Sequence, residues 1–321
     1  MSISASSTPN GPHQAIAAQS AQERFLAELL DILWSRYRDR VSYVRDYERV
    51  IAAAGATFVN DHIAFRTFAT QQPLGGIASV SRIFEALGYR SAGVYNFPDK
   101  QLSAIHFQHS NASLPKLFIS ELQLWELSDA TRETIADCVR QQRETVASET
   151  LAALRSLNDS TPDPQRGELL QKVAKQFHDT PWAPPEKSQV EAVDAESQYA
   201  AWVLVHGYNV NHFTSLINSH KVEQLSDIEK TAQALQEAGV PMKKQIEGEA
   251  GSKLRQTATE AVVIDVDVQE NGRGSSMPWT YAYFELAERG EVIDPASGQS
   301  QRFEGFLGPQ ATELFEMTRK R

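Results

Sequence analysis

Two similar segments of this 321-residue chain indicate its fold: DHIAFRTF, at residues 61–68, and NHFTSLIN, at residues 211–218. Each places a histidine near the opening of an alternating run rich in β-strand formers. Each is followed by an amphipathic helical pattern and then by further strands. A late strand of each half carries a glutamate, Glu121 in LFISELQL and Glu285 in AYFELAER. The two halves therefore predict a duplicated strand–helix–strand module.

The remaining patterns place this duplicated module within a single domain. Apolar residues at helical spacing predict one long or two shorter helices over residues 22–54. The module helices are expected near residues 77–87 and 222–238, and further strands of the first half near 104–109 and 116–124. We divide the chain into a mobile tail (1–20) and one catalytic domain (21–321) made of N-terminal helices (21–55), a first module (56–127), a helical insertion (128–200), a second module (201–300) and a C-terminal helix (301–321).

Composition excludes several classes of function. The formal net charge of −10 has the wrong sign for a nucleic-acid binder, whose affinity comes from neutralising phosphates. No run approaches the 18 apolar residues of a membrane span, and the first twenty residues lack the pattern of a secretory signal or a transit peptide. Cys138 has no partner for an intrachain disulfide, so we expect a cytoplasmic protein. The expected partner is a small molecule, with neither nucleic acid nor membrane.

Strand alternation predicts a metal site. His62, Ala64 and Arg66 share one side of the first strand because side chains alternate between the two faces. His212 opens the matching strand of the second half, and Glu285 lies in a late strand. Two imidazoles and a carboxylate on convergent strands match the facial arrangement that holds Fe(II) and leaves positions open for a chelating substrate and O2.

Three further residues extend this hypothesis or compete with it. Arg66 is the expected partner of a substrate carboxylate, because a guanidinium binds one bidentately. Gln256, in LRQTAT, is expected to hydrogen-bond a substrate or a metal ligand. Glu121 would complete a His-Glu-His-Glu site if it also reached the metal. Such a site acts as a Lewis acid without redox chemistry.

DHIAFRTF, HGYNVNHFTSLIN, LRQTAT and YFELAER occur in this order, and together they resemble the 2-oxoadipate dioxygenase/decarboxylase family, the hydroxyglutarate synthases of the vicinal oxygen chelate superfamily. The resemblance runs from about residue 20 to 318. It implies an α+β fold in which two βαβββ modules form a cup-shaped barrel around a metal, with additional N-terminal and inserted helices.

The resemblance also implies a reaction and a set of ligands. The family converts 2-oxoadipate and O2 to 2-hydroxyglutarate and CO2, a late step of lysine breakdown, with Fe(II) as its metal. By motif, His62, His212 and Glu285 would bind the metal, Arg66 would hold the substrate carboxylate and Gln256 would lie in the site. Two alternatives remain at this point: a non-redox metal isomerase or lyase of the glyoxalase type, and a non-catalytic anion-binding protein.

Overall fold

The fold is an α+β arrangement of one large sheet with helices packed against it. The structure, a computed structural model, describes residues 11–71, 74–140, 142 and 146–307. Its helices are α1 (Ala21–Arg40), α2 (Tyr43–Ala54), α3 (Gly76–Ala86), α4 (Asp129–Val139), α5 (Ser148–Arg155), α6 (Asp163–Gln176), α7 (Lys187–Glu196), α8 (Gln198–His206) and α9 (Ile228–Glu237). Its strands are β1 (Asn60–Phe68), β2 (Arg90–Phe97), β3 (Leu102–Gln108), β4 (Lys116–Leu122), β5 (Val210–Leu216), β6 (Leu254–Ala258), β7 (Val263–Glu270), β8 (Arg273–Thr280), β9 (Glu285–Arg289), β10 (Glu291–Ile293) and β11 (Ser300–Arg302).

Both ends of the chain differ from the prediction where they are described. A mobile tail was expected over residues 1–20, but a short 3-10 helix forms at Pro12–Ala15 and buries His13. The His13 ring lies 2.7 Å from the Asp31 carboxylate on α1, and this buried contact fixes the segment. At the other end, residues Ser300–Arg302 form β11 where a C-terminal helix was expected, and residues 308–321 of that predicted helix lie outside the described residues.

The large sheet has seven strands in the order β2-β3-β4-β1-β5-β9-β6, curled into a half-barrel. The first module supplies β1, α3 and β2–β4, which is the predicted βαβββ order. The second module supplies β5, α9, β6 and β9, while its β7 and β8 pair with each other in a separate two-stranded ribbon. In each module the first strand lies parallel to the last, β1 beside β4 and β5 beside β9.

The two modules join where β1 and β5 pair antiparallel. Ile63 lies opposite Phe213, His62 opposite Thr214 and Ala64 opposite His212. The register is therefore symmetric about the Ile63–Phe213 pair, so each histidine lies one residue before the centre of the junction. Because strand side chains alternate, both histidines face the same side of the sheet, and Ile63 and Phe213 face the other.

The helices cover the side of the sheet that carries Ile63 and Phe213. Phe213 packs at ring-centroid distances of 5.1 Å from Trp34 and 5.0 Å from Tyr37, both on α1. On the neighbouring strand, Phe65 packs against Phe84 of α3 and Phe177, which directly follows α6. The region predicted as a helical insertion, residues 128–200, holds α4 to α7 and the first part of α8. No helix within the described residues combines the length and the apolar character of a membrane crossing.

Replacing Phe213 by Ala tests the packing of the helices against the β1–β5 junction. The ring is completely buried, so Phe213→Ala should lower the free energy of unfolding by about 3–5 kcal/mol, through lost apolar burial and an unfilled cavity. Val94→Ala on β2 is the control, because Val94 is 76% exposed and its loss should cost less than about 1 kcal/mol. Urea unfolding followed by circular dichroism measures both, and equal losses would contradict this packing.

Candidate metal centre

Three strands bring His62, His212 and Glu285 together on the open side of the sheet. All three are buried, and one potential ligand atom from each lies within 4.8 Å of the others. The Glu285 carboxylate stands between the imidazoles, with Oε1 3.2 Å from His62 Nε2 and Oε2 3.5 Å from His212 Nε2. The two rings are nearly perpendicular, at 83°, with centroids 5.5 Å apart. This is a 2-His-1-carboxylate group of the size that one metal ion needs.

Neighbouring side chains orient each member of the group. His62 Nδ1 lies 2.8 Å from Asp61 Oδ2, and His212 Nδ1 lies 3.0 Å from Asn211 Oδ1. With Nδ1 of each ring facing an oxygen acceptor, both Nε2 atoms are left to face Glu285. Partners of this kind fix the tautomer and the direction of metal-binding histidines.

The Glu285 carboxylate is held through one of its two oxygens. Gln256 donates its side-chain amide to Oε1 at 2.6 Å, and the Thr214 hydroxyl donates to the same atom at 3.4 Å. Oε2 is buried and accepts no hydrogen bond from the described residues. A buried carboxylate oxygen without a donor is costly unless a cation satisfies it, so the environment of Oε2 fits a metal ion.

Burial and neighbouring charges shift the pKa of each member of the group. Burial lowers the pKa of His212 to about 3, so its imidazole is neutral at pH 7. Burial acts to raise the pKa of Glu285, but the nearby His212 and His62 outweigh it and the pKa is lowered, which keeps the carboxylate ionised. For His62, burial acts to lower the pKa, and the carboxylates of Glu285 and Asp61 raise it overall. The negative potential that attracts a proton to His62 would equally attract a metal cation.

The group opens into a cavity that also contains Arg66. Arg66 is only 2% exposed, and its guanidinium lies over the rings of Tyr199 (5.1 Å) and Trp202 (5.3 Å). A cation held between aromatic faces keeps its charge at low solvent exposure. The cavity is lined by His62, Ala64, Phe65, Arg66, Phe118, Ser120, Asn211, His212, Gln256, Tyr283, Glu285, Phe306 and Leu307. Arg66 and Gln256 thus lie where the sequence predicts them, beside the three possible ligands.

Glu121 lies outside this cavity, which corrects the alternative of a four-residue site. Phe118 and Ser120 of β4 line the cavity, so Glu121 points to the opposite face. There its Oε2 accepts a hydrogen bond from the backbone N–H of Ile77, at the start of α3. A carboxylate at this position stabilises the amino-terminal end of a helix.

The repeat explains why the two glutamates appeared equivalent in sequence. Thr214 pairs with Glu285 in the second module, and Ala64, two residues after His62, pairs with Phe118 in the first. Phe118 is therefore the counterpart of Glu285. The counterpart of Glu121 is Glu288, whose Oε2 accepts a hydrogen bond from Ile228 N–H at the start of α9. In the sequence, the two halves therefore appeared to pair Glu285, which faces the candidate metal centre, with Glu121, which binds the start of a helix.

Two other buried arginines, Arg255 and Arg289, bind protein carboxylates. Arg255 pairs with Glu229 and Glu288. Arg289 donates from Nε and Nη2 to the two oxygens of Asp61, at 2.6 and 2.7 Å. Both sites are occupied by protein carboxylates, so neither arginine is directed at the cavity.

Sequence reasoning missed several residues that complete the site. Asp61 and Asn211, which orient the two histidines, directly precede them in the sequence. An acidic or amide residue immediately before each histidine was the sequence signal that could have identified them. Thr214 is a second omission, with its hydroxyl 3.0 Å from His62 Nε2. Tyr283 stacks on His212 at 4.9 Å, and Phe306 meets the His62 ring edge-on at 4.9 Å. Strand alternation places Tyr283 on the same face as Glu285, two residues away, whereas the contact of Phe306 with His62 left no local signal because it depends on tertiary packing.

The paired modules and the curled sheet define the class of fold, which this chain shares with proteins of known structure. A glyoxalase-superfamily protein from Ralstonia eutropha shares the fold, with a TM-score of 0.77 at 22% identity over 95% of this chain and 91% of that one. The sequence model of the 2-oxoadipate dioxygenase/decarboxylase family matches residues 27–316. The chain belongs to this family, as its four motifs predicted.

Relatives of this family align along almost the whole chain. The 2-oxoadipate dioxygenase/decarboxylase of Arabidopsis thaliana, a chloroplast protein, is 27% identical over 99% of this chain and 82% of its own length. A rice relative of the same name is 26% identical over 98% of this chain and 84% of its own length. The crystal structure of hydroxyglutarate synthase from Oryza sativa, in complex with 2-oxoadipate, has a TM-score of 0.74 at 25% identity, covering 98% of each chain.

The different placements of the two glutamates give a direct test. Glu285→Gln should weaken Co(II) binding by more than the roughly 10–100-fold that loss of an outer partner costs, because it removes a charged candidate ligand. Glu121→Gln should leave the affinity unchanged, because Glu121 contacts α3 on the other face. Isothermal titration calorimetry measures both. Weaker binding by the Glu121 variant at unchanged thermal stability would restore the four-residue site.

Proposed function

We propose that this chain is an Fe(II)-dependent dioxygenase that converts 2-oxoadipate and O2 to 2-hydroxyglutarate and CO2. The observation that carries the proposal is the buried group of His62, His212 and Glu285, which shares a cavity with Arg66 in a member of this family. The rice relative crystallised with 2-oxoadipate supports a 2-oxo acid as the substrate class. The reaction balances, since the six carbons of the substrate are recovered as a five-carbon product and CO2, which together take up both atoms of O2.

The three ligand side chains suit a redox metal that must bind two reactants. His62, His212 and Glu285 would hold such a metal from one side, and a set of three ligands of this kind would leave room for a chelating 2-oxo acid and for O2. Bound there, Fe(II) supplies the electron transfer that activation of O2 requires. Zn(II) also accepts two imidazoles and a carboxylate, but it has no redox chemistry to offer O2. The family activity therefore favours iron.

Arg66 has the role of binding and orienting the substrate. Its guanidinium is positioned by Tyr199 and Trp202, so little side-chain freedom is lost when a carboxylate binds. The protein around it is strongly acidic overall, with a net charge of −10. A buried arginine at the cavity wall provides the local positive charge that an anionic substrate needs.

The other cavity residues would hold the ligands still and exclude water. Gln256 and Thr214 secure Oε1 of Glu285. Phe118, Tyr283 and Phe306 form apolar walls around the group. A dry, rigid site limits side reactions of activated oxygen and strengthens the contact between Arg66 and a carboxylate.

The alternative of a non-redox isomerase or lyase depended on a second glutamate at the metal. Glu121 binds the start of α3 instead, so no observation favours that alternative. Cytoplasmic location and a role in lysine catabolism remain predictions that follow from the single cysteine and from the proposed reaction.

Metal exchange tests the proposed reaction. Protein freed of metal by a chelator should neither consume O2 nor release CO2 from 2-oxoadipate. Anaerobic addition of Fe(II) should restore both with one O2 consumed per CO2, while Zn(II) should restore neither, because it cannot reduce O2. An oxygen electrode and product chromatography provide the measurement. Turnover with Zn(II) in the absence of O2 would contradict the proposal.

Arg66→Lys tests the substrate contact. Loss of the planar guanidinium should remove about 1.5–3 kcal/mol of charge-assisted hydrogen bonding, which lowers kcat/KM for 2-oxoadipate roughly 10- to 150-fold. The affinity for Co(II) should be unchanged, since Arg66 is not a candidate ligand. Arg90→Lys, at an exposed position on β2, is the matched control. Unchanged kcat/KM in the Arg66 variant would contradict the assignment.

A further inference from the structure

The residues 303–307, here called the cover segment, lie across the mouth of the candidate metal centre. Phe306 touches His62 from this segment, and its ring also packs at 4.9 Å from Phe118. Its backbone N–H donates to the Tyr95 hydroxyl at 3.2 Å. Leu307 lines the same cavity. With the cover segment in this position, the group of His62, His212 and Glu285 is closed off on one side by an aromatic ring.

Arg289 connects the cover segment to the candidate ligand His62. From Nη1 it donates to the backbone carbonyls of Phe303 (3.0 Å) and Gly305 (2.8 Å). From Nε and Nη2 it donates to both oxygens of Asp61, and Asp61 faces Nδ1 of His62. One guanidinium therefore contacts both the cover segment and Asp61, through different nitrogen atoms. Its side chain is fully buried, so no water replaces either contact easily.

A second cation also links the cover segment to Asp61. Lys116 forms an ion pair with Glu304 of the cover segment, and its Nζ lies 3.8 Å from Asp61 Oδ1. Arg289 also lies over the Phe306 ring, with its guanidinium carbon 5.3 Å from the ring centroid. Asp61 is thus the point where the contacts of the cover segment and of His62 meet.

We propose that Arg289 is a positioning residue that couples the cover segment to His62, so that closure over the site and the orientation of this ligand depend on each other. The inference rests on the proposed metal-dependent function. Reciprocity follows from linkage: if closure improves the metal site, a bound metal must favour closure by the same factor.

The wild-type protein provides the first test. Binding of Co(II), a redox-stable probe, should slow amide hydrogen exchange of the cover segment about fivefold or more, a coupling of ordinary size. Mass spectrometry of peptides containing residues 303–307 measures this rate. An unchanged exchange rate with the metal site saturated would overturn the coupling.

Variants then test whether Arg289 is the residue responsible for the coupling between metal binding and the cover segment. Arg289→Lys keeps a positive charge beside Asp61, but one ammonium cannot reproduce the fork that reaches both Asp61 and the two carbonyls. It should weaken Co(II) binding roughly 10–100-fold and also speed exchange of the cover segment. Tyr95→Phe removes the bond to Phe306 N–H and the contact of the same hydroxyl with His106 Nδ1 (2.9 Å), and it leaves Arg289 in place. It should speed exchange and, by linkage, weaken Co(II) binding by no more than the factor by which the metal slows exchange in the wild type. Asp61→Asn should weaken Co(II) binding and also speed exchange of the cover segment, because it removes the carboxylate that both His62 and Arg289 contact.

Arg273→Lys is the control, because Arg273 is exposed on β8, a strand of the separate two-stranded ribbon. It should change neither measurement. An Arg289→Lys protein that folds normally but alters only one of the two measurements would overturn the inference. If that variant does not fold, the wild-type experiment and Tyr95→Phe still decide. A wild-type protein that binds neither Co(II) nor Fe(II) would contradict the proposed function itself.

Discussion

The antiparallel pairing of β1 and β5 is the constraint on which the rest of the structure depends. Its symmetric register about Ile63 and Phe213 places both histidines on the open side of the sheet. A shift by one residue would turn one entire strand over, sending its histidine into the helix-covered core. The buried aromatic packing of Phe213 on α1 opposes such a shift. Core packing on the helix-covered face of the sheet therefore determines which side chains lie on its open face.

The site combines several charged groups that would each be unstable if buried alone. Glu285, Asp61 and Arg289 are almost completely buried, and each is placed against a partner of complementary character. Asp61 accepts hydrogen bonds from Nε and Nη2 of Arg289, while Glu285 has one oxygen satisfied and the other facing His212. Removing a partner from such an arrangement leaves an uncompensated buried charge, which is strongly destabilising. The same arrangement gives the candidate ligands fixed directions.

Sequence patterns revealed the parts of this protein that repeat or alternate. The duplicated strand–helix order, the shared face of His62 and Arg66, and the three candidate ligands all followed from local periodicity and matched motifs. Sequence patterns failed to identify the residues of the site where their position depends on the register between strands that are distant in sequence. Glu121 and Glu285 looked equivalent because each lies late in its module, yet only strand pairing shows that Phe118 occupies the corresponding position. Contacts such as Phe306 on His62 join residues far apart in sequence and leave no periodic trace.

The proposed iron site takes its three ligands from the β1–β5 junction and from β9. Anomalous X-ray scattering at the iron absorption edge, from crystals grown anaerobically with Fe(II), tests it most directly. We expect one strong anomalous peak within coordination distance of His62 Nε2, His212 Nε2 and the Glu285 carboxylate. A peak that includes Glu121, or no peak between these three side chains in iron-saturated protein, would contradict it.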